Sequence, residues 1–183
     1  MKMVTTTHLM TAEELFRLPD DGLRHELVKG ELLTISPPAE RHGAVTAKLT
    51  ILLGQHVIAN NLGTIYVGDT GFKVESDPDT VLAPDIAFIQ RERVGTISDF
   101  YRLGPPDLVI EVLSPGDRRG EVERKTARWL SLGALVVWLV NPRKRTVEVC
   151  FASGERELFL EDDELNGDPV VPGFCVRVSE IFS

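Results

Sequence analysis

The segment Pro106-Asp107-Leu108-Val109-Ile110-Glu111-Val112-Leu113 constrains this chain more than any other, because it sets one acid, Glu111, among five aliphatic residues. A run of this kind reads as a strand buried on both faces. An ionised carboxylate removed from water without a partner is very costly, so buried acids are paired, protonated or metal-bound. Glu111 therefore demands a nearby cation or an altered pKa, and such groups concentrate at functional sites. A second acid, Asp85, opens the apolar stretch Ala83-Pro84-Asp85-Ile86-Ala87-Phe88-Ile89, 26 residues earlier. Adjacent strands lie ~4.8 Å apart, so acids on neighbouring strands can share one ion. Asp107 faces the same side as Glu111 but lies roughly 13 Å away along the strand. It reads as a turn or strand-opening residue. The same residues also admit a purely structural reading, in which Glu111 pairs with a buried Lys or Arg and Asp85 is a turn residue.

The 183 residues suit one ordinary domain, expected over 11–183 behind a disordered leader at 1–10. The two cysteines, Cys150 and Cys175, form no CxxC pair, which argues against a zinc ribbon or redox dithiol and suits a reducing cytoplasm. The longest apolar run, Leu130 to Val140, is interrupted by Ser131 and Gly133 and is too short to span a bilayer. A net charge of −8 argues against coating nucleic acid by bulk charge. It leaves room for an acidic metal site whose ion supplies the positive charge.

Thr11 and Glu14 predict a capping box for a short helix through Leu18. His25 to Val28 and Glu31 to Ile35 predict a hairpin turning at Lys29-Gly30. Ser36-Pro37-Pro38 predicts the start of a long helix from Ala39 to Asn60, with Ser36 as its cap. Short strands come after it, the first taking in Tyr66, Phe72 and Val74, then Asp85 to Ile89 and Asp107 to Leu113. A helix over Arg118 to Leu132, a buried strand over Ala134 to Val140, and a hairpin of Thr146 to Phe151 with Glu155 to Leu160 come next. A strand from Phe174 to Val178 and a last turn at Ser179 to Phe182 end the chain. Helices mixed with strands and hairpins argue for α/β or α+β with a mixed sheet.

Glu121, Lys125 and Arg128 share one helix face, which on most helices is simply solvated. A helix returning from Glu111 packs near that strand, so Lys125 can reach the carboxylates and there orient water or steady phosphate charge. Glu26, at the head of the first hairpin, is a third candidate acid. His42 is a candidate phosphate contact or proton carrier. Arg118, Arg119 and Arg124 are candidate contacts to a nucleic-acid backbone, or else an ordinary solvated surface.

His25-Glu26-Leu27-Val28-Lys29-Gly30-Glu31, Ser36-Pro37 and His42 resemble the N-terminal pattern of the Uma-type family of bacterial endonucleases. Pro84-Asp85-Ile86-Ala87 and Pro106 to Pro115 resemble its two central motifs. Lys125, Trp129, Gly133 and Trp138 to Pro142 resemble the family's next segment, and Pro172-Gly173-Phe174 its C-terminal signature. The likeness runs from about Thr11 to Phe182. It implies a restriction-endonuclease-like core: a mixed central sheet flanked by helices, with an N-terminal hairpin. It further implies hydrolysis of phosphodiesters in DNA, or in RNA, with Mg²⁺ or Mn²⁺. Asp85, Glu111 and the carbonyl of Val112 would be the metal ligands. Lys125 and Glu26 would complete the catalytic set. A homodimer suits double-strand cutting. The chain departs from the pattern at Leu113, where the superfamily's in-line lysine usually stands, so that Lys125 must substitute from the helix. Asn141 stands where the family often has Asp. Two other classes compete: an inactive relative that binds nucleic acid or protein, and a glycoside hydrolase using Asp85 and Glu111. The latter sits poorly with 7% aromatic residues.

Overall fold

The computed structural model describes residues 8–68 and 70–183. In chain order they form α1 (Ala12–Phe16), β1 (Arg24–Val28), β2 (Glu31–Ile35), α2 (Glu40–Ala59), β3 (Gly63–Val67), β4 (Phe72–Glu75), β5 (Thr80–Leu82), β6 (Ile86–Gln90), α3 (Arg91–Val94), β7 (Arg102–Leu103), β8 (Leu108–Val112), α4 (Arg119–Ser131), β9 (Val136–Asn141), β10 (Thr146–Phe151), β11 (Arg156–Phe159), β12 (Glu164–Asn166), β13 (Cys175–Arg177) and α5 (Val178–Ile181). Six strands make a central mixed sheet in the order β11-β10-β9-β8-β6-β3. In it β8 and β9 are parallel, joined through α4, while the other neighbours are antiparallel.

Strand alternation divides the core in two. Leu108, Ile110 and Val112 of β8 pack with Val45, Leu49, Leu53 and Val57, the buried stripe of α2. Val109 packs on the other face with Trp129 of α4, Val137 and Leu139. Glu111 shares that second face, which is why an acid inside an aliphatic strand lies under α4.

The expected N-terminal hairpin is present, with Lys29 and Gly30 at φ 50° and 79°. Both angles suit the two-residue turn that matches strand twist. Gly30 is required twice over, since a Cβ there would lie 2.5 Å from the Cβ of Leu9. The hairpin belongs to a second sheet, β2-β1-β5-β4-β7. The chain passes from this sheet to the central one through Ala83-Pro84-Asp85, between β5 and β6. That passage brings β1, with Arg24 and Glu26, alongside Asp85.

Several expectations are corrected. Tyr66 and the pair Phe72/Val74 lie in two strands of different sheets, β3 and β4, not in one. Ser36 does not cap α2, which begins at Glu40 after Ala39 with no side-chain cap, because the Pro37-Pro38 pair holds the preceding chain extended. The α1 capping box is present, but the helix ends at Phe16. The expected leader falls mainly on residues 1–7, outside the described residues. Met10 donates its amide to Gly30 O at 2.9 Å and packs against the cluster of Leu15, Leu27 and Val81. Among the described residues no helix is long and apolar enough to cross a membrane.

Asp79 fixes α1 to the second sheet. Its Oδ2 accepts from Ala12 N at 2.7 Å and from Lys73 Nζ at 2.9 Å. Burial pushes this carboxyl upward, yet those donors outweigh it and hold it below the usual carboxylate range. A depressed folded-state pKa gives stability that is present above the unfolded value and lost as pH falls through the folded one. Asp79→Asn is therefore expected to lose about 1–3 kcal/mol at pH 7, with the deficit shrinking below pH ~4. Urea unfolding at pH 7 and pH 3 checks this. A deficit equal at both pH values would show that the charge is not responsible.

Candidate active site

The β6–β8 register pairs Ile86 with Ile110, so its continuation sets Asp85 opposite Glu111 at the end of the ladder. Two donors converge on Asp85 Oδ2: the Val112 amide at 2.7 Å and His42 Nε2 at 3.1 Å. An ionised carboxylate can only accept, so Nε2 carries the proton. Burial alone would raise the Asp85 pKa, but His42, the Val112 amide and the Arg24 charge outweigh it and lower it. His42 is correspondingly raised by its bond to Asp85 against the opposing effect of burial.

Glu111 is 9% exposed. Lys125 and Trp129, one turn apart on α4, reach down to it from the same face. Lys125 Nζ stands 3.0 Å from the carboxylate, and Trp129 Nε1 donates to Oε1 at 2.9 Å. Burial pushes Glu111 upward, the negative charges of Asp85 and Glu26 add to this, and Lys125 opposes it. For Lys125, burial favours loss of the proton, but Glu111 and Glu26 prevail and raise its pKa. The amine is thus held charged.

Glu26 Oε1 accepts from Ala83 N at 3.2 Å and lies 3.4 Å from both Lys125 Nζ and Arg24 Nη2. Arg24 Nη1 is also 3.5 Å from Asp85 Oδ1. Arg24, His42, Asp85, Glu111, Val112 and Lys125 line one open cleft of about 1160 Å³.

The structure thus brings together Asp85, Glu111, Lys125, Glu26, His42 and Val112. It leaves Arg118, Arg119 and Arg124 exposed at the start of α4, outside the cleft's lining. His42 spends its Nε2 on Asp85 rather than presenting it to solvent. Asp107, at the mouth of β8, accepts from the Gln90 amide at 2.8 Å and pairs with Arg93, a clamp remote from the cleft. Sequence reasoning missed Arg24 and the Trp129 bond. The signal was there: Arg24 is two residues from Glu26 on one strand face, and Trp129 is four from Lys125 on one helix face.

The donors facing the cleft are hard oxygens. Among the described residues no three His, Cys, Asp or Glu side chains form a ready cage. Mg²⁺ is ordinarily held by one or two carboxylates, with water and substrate oxygens completing its shell. The pair Asp85 and Glu111 fits that ion better than zinc, which takes nitrogen and sulfur ligands.

Residues 12–179 match the model of a family described as "Uma2: Putative restriction endonuclease". The crystal structure of "a putative nuclease belonging to DUF820" from Anabaena variabilis superposes with a TM-score of 0.81 at 21% identity, covering 94% of this chain and 97% of that one. At that identity the likeness shows the fold: a mixed sheet flanked by helices. A Synechocystis sp. protein described as "Uncharacterized protein sll1609" is 27% identical over 115 residues, 62% of this chain. The match spans 64% of that relative's length.

Proposed function

The chain belongs to the Uma2 family, and from that membership and its cluster of acids and lysine we propose that it is a divalent-metal-dependent nuclease hydrolysing phosphodiester bonds in DNA. The observation that carries this reading is the meeting of Asp85, Glu111 and Lys125 in one cleft. Asp85 and Glu111 would hold Mg²⁺ or Mn²⁺, with the Val112 carbonyl as a further oxygen. When bound, such an ion neutralises phosphate charge and lowers the pKa of a coordinated water.

The chain's own groups supply the rest. Lys125, kept protonated by two acids, acts as a donor to the attacking water or to the scissile phosphate. Glu26, 3.4 Å from that amine, helps Glu111 hold it. His42 and the Val112 amide hold Asp85 by Oδ2, so Oδ1 is the oxygen that would take a cation. The alternative is a catalytically inactive nucleic-acid- or protein-binding member of the fold. It is weakened because Lys125 supplies the amine that Leu113 lacks.

The test is incubation of supercoiled DNA, linear DNA and RNA with the protein in Mg²⁺, Mn²⁺ or EDTA, beside Mn²⁺ titration calorimetry. Cleavage of DNA should require the metal. Asp85→Ala should weaken Mn²⁺ binding by more than about a hundredfold, as loss of an inner ligand exceeds the 10–100-fold typical of outer partners. Cleavage indifferent to both EDTA and Asp85→Ala would overturn the proposal.

A further inference from the structure

We infer that the DNA strand cut at this site is unpaired: the α2 side of the cleft is shaped to receive nucleobases, which a single strand can turn toward it and a duplex cannot. The inference rests on the nuclease reading above and specifies its substrate.

α2 carries two apolar faces. One is the buried stripe of Val45, Leu49, Leu53 and Val57. Beside it Gly43, Thr46, Ala47, Thr50 and Ile51 recur at helical spacing and line the cleft. Gly43, Ala47 and Ile51 are exposed, Ile51 by 56%. A helix with only a core to cover is polar outside its buried stripe, so this second face calls for an occupant.

The occupant is not a phosphate. Thr46 and Thr50 donate their hydroxyl protons to the helix's own carbonyls, His42 O at 2.8 Å and Thr46 O at 2.7 Å. Backbone amides of this stretch are likewise bonded within the helix, as Gly43 N is to Ala39 O. The wall continues through Ile35, Pro37 and Pro38, and proline has no N–H to offer. Arg41 and Lys48 also lie on α2, but outside the cleft's lining. A Cβ at Gly43 would meet no atom within 4 Å, so packing does not require glycine there. Bare backbone at that point lets a flat ligand approach closely.

The charge of the cleft favours the same substrate. Among the described residues its lining holds four acids, Asp20, Asp85, Glu111 and Asp117, against Arg24 and Lys125. His42, bonded to Asp85, adds at most one further positive charge. A bound divalent ion therefore brings the lining only near neutrality. Duplex DNA turns its phosphates outward, one charge per ~1.7 Å of axis, and is held by cations spread along both strands. Phosphates laid against α2 would lose water with no donor to replace it. An unpaired strand avoids that cost, because it can set its phosphates toward Arg24, Lys125 and the metal while its bases lie on α2.

Single-turnover cleavage in Mn²⁺ of a labelled strand of about 30 nucleotides, alone or annealed to its complement, tests the inference. The unpaired strand should be cut at least about tenfold faster. Ile51→Glu should raise the half-saturating protein concentration for that strand by about tenfold, with a smaller effect on the maximal rate, and Ile51→Leu should restore it. Ala47→Glu, at a second exposed position, carries the same expectation as Ile51→Glu. Photo-crosslinking supplies a readout free of cleavage: a single strand carrying thiothymidine should attach to residues 43–51, and its duplex should not. Equal or faster cutting of the duplex, or half-saturation unchanged in both charged variants, would overturn the inference and leave the nuclease reading standing. Sedimentation showing a wild-type dimer that Ile51→Glu turns into a monomer would make the wall a contact between copies, which also defeats the inference. Absence of metal-dependent cleavage of both DNA forms would remove the inference together with the nuclease reading.

Discussion

Glu111→Gln is expected to reduce DNA cleavage by on the order of a thousandfold or more while leaving a folded protein. The amide is nearly isosteric with the carboxylate, and its oxygen can still accept from Trp129 Nε1, so the packing of β8 under α4 is preserved. What disappears is the negative charge that would hold the metal and that grips Lys125. A thousandfold loss corresponds to about 4 kcal/mol of transition-state stabilisation. Folding stability is pulled both ways. Removing a buried charge relieves a desolvation cost, while Lys125 loses its nearer partner and keeps Glu26 at 3.4 Å. A net change within about 1–2 kcal/mol is expected from this near-cancellation. Single-turnover cleavage beside urea unfolding checks both halves. A variant that still cuts DNA at the wild-type rate would make Glu111 a structural acid. A variant that loses fold and activity together would mean that its role is to hold α4.

This acid was legible in the sequence for the reason that makes it consequential. A charge among five aliphatics violates the rule of burial, and such violations are the most visible marks of a site. The strand ladder, the hairpin at Lys29-Gly30 and the long amphipathic α2 were equally legible, because each rests on local periodicity or turn chemistry. The division into two sheets was not. Strands such as β5 and β7, of three and two residues, exist through pairing with distant segments and leave almost no periodic signal. Hence Tyr66 and Phe72 read as one strand although Gly68 lies between two. Ser36 was misread because a capping residue next to two prolines resembles a helix start, whereas the chain stays extended until Glu40. Arg24 went unnoticed because an arginine in a half-exposed hairpin resembles a solvated one. Arg118, Arg119 and Arg124 are exposed, as either a solvated surface or a nucleic-acid contact would be, because charges on a helix surface face solvent whether or not anything binds there.

Lys125→Met should lower cleavage by about 10²–10³-fold, in the range of a single lost donor to the developing charge, without weakening Mn²⁺ binding. This separation of effects distinguishes an amine that serves the reaction from one that only balances Glu111. The more demanding expectation concerns Leu113. Glu111 and Leu113 are two apart in sequence, so they project from one face of the strand, ~6.6 Å apart along it. Both line a small cavity of about 150 Å³ together with Lys125 and Leu139. An extended lysine at 113 can therefore bring its amine near the place that Lys125 Nζ occupies, restoring the in-line spacing that the chain lacks. Lys125→Met with Leu113→Lys should regain at least tenfold of the lost activity, whereas Leu113→Lys alone should gain little, since the position is already served and two ammonium groups repel. Cleavage rates at saturating Mn²⁺ and unfolding curves for the single and double variants decide the matter. If the double variant folds, binds Mn²⁺ and shows no recovery, then the place of the amine beside Glu111 is not what the reaction requires, and the hold of α4 on β8 becomes the better account of Lys125.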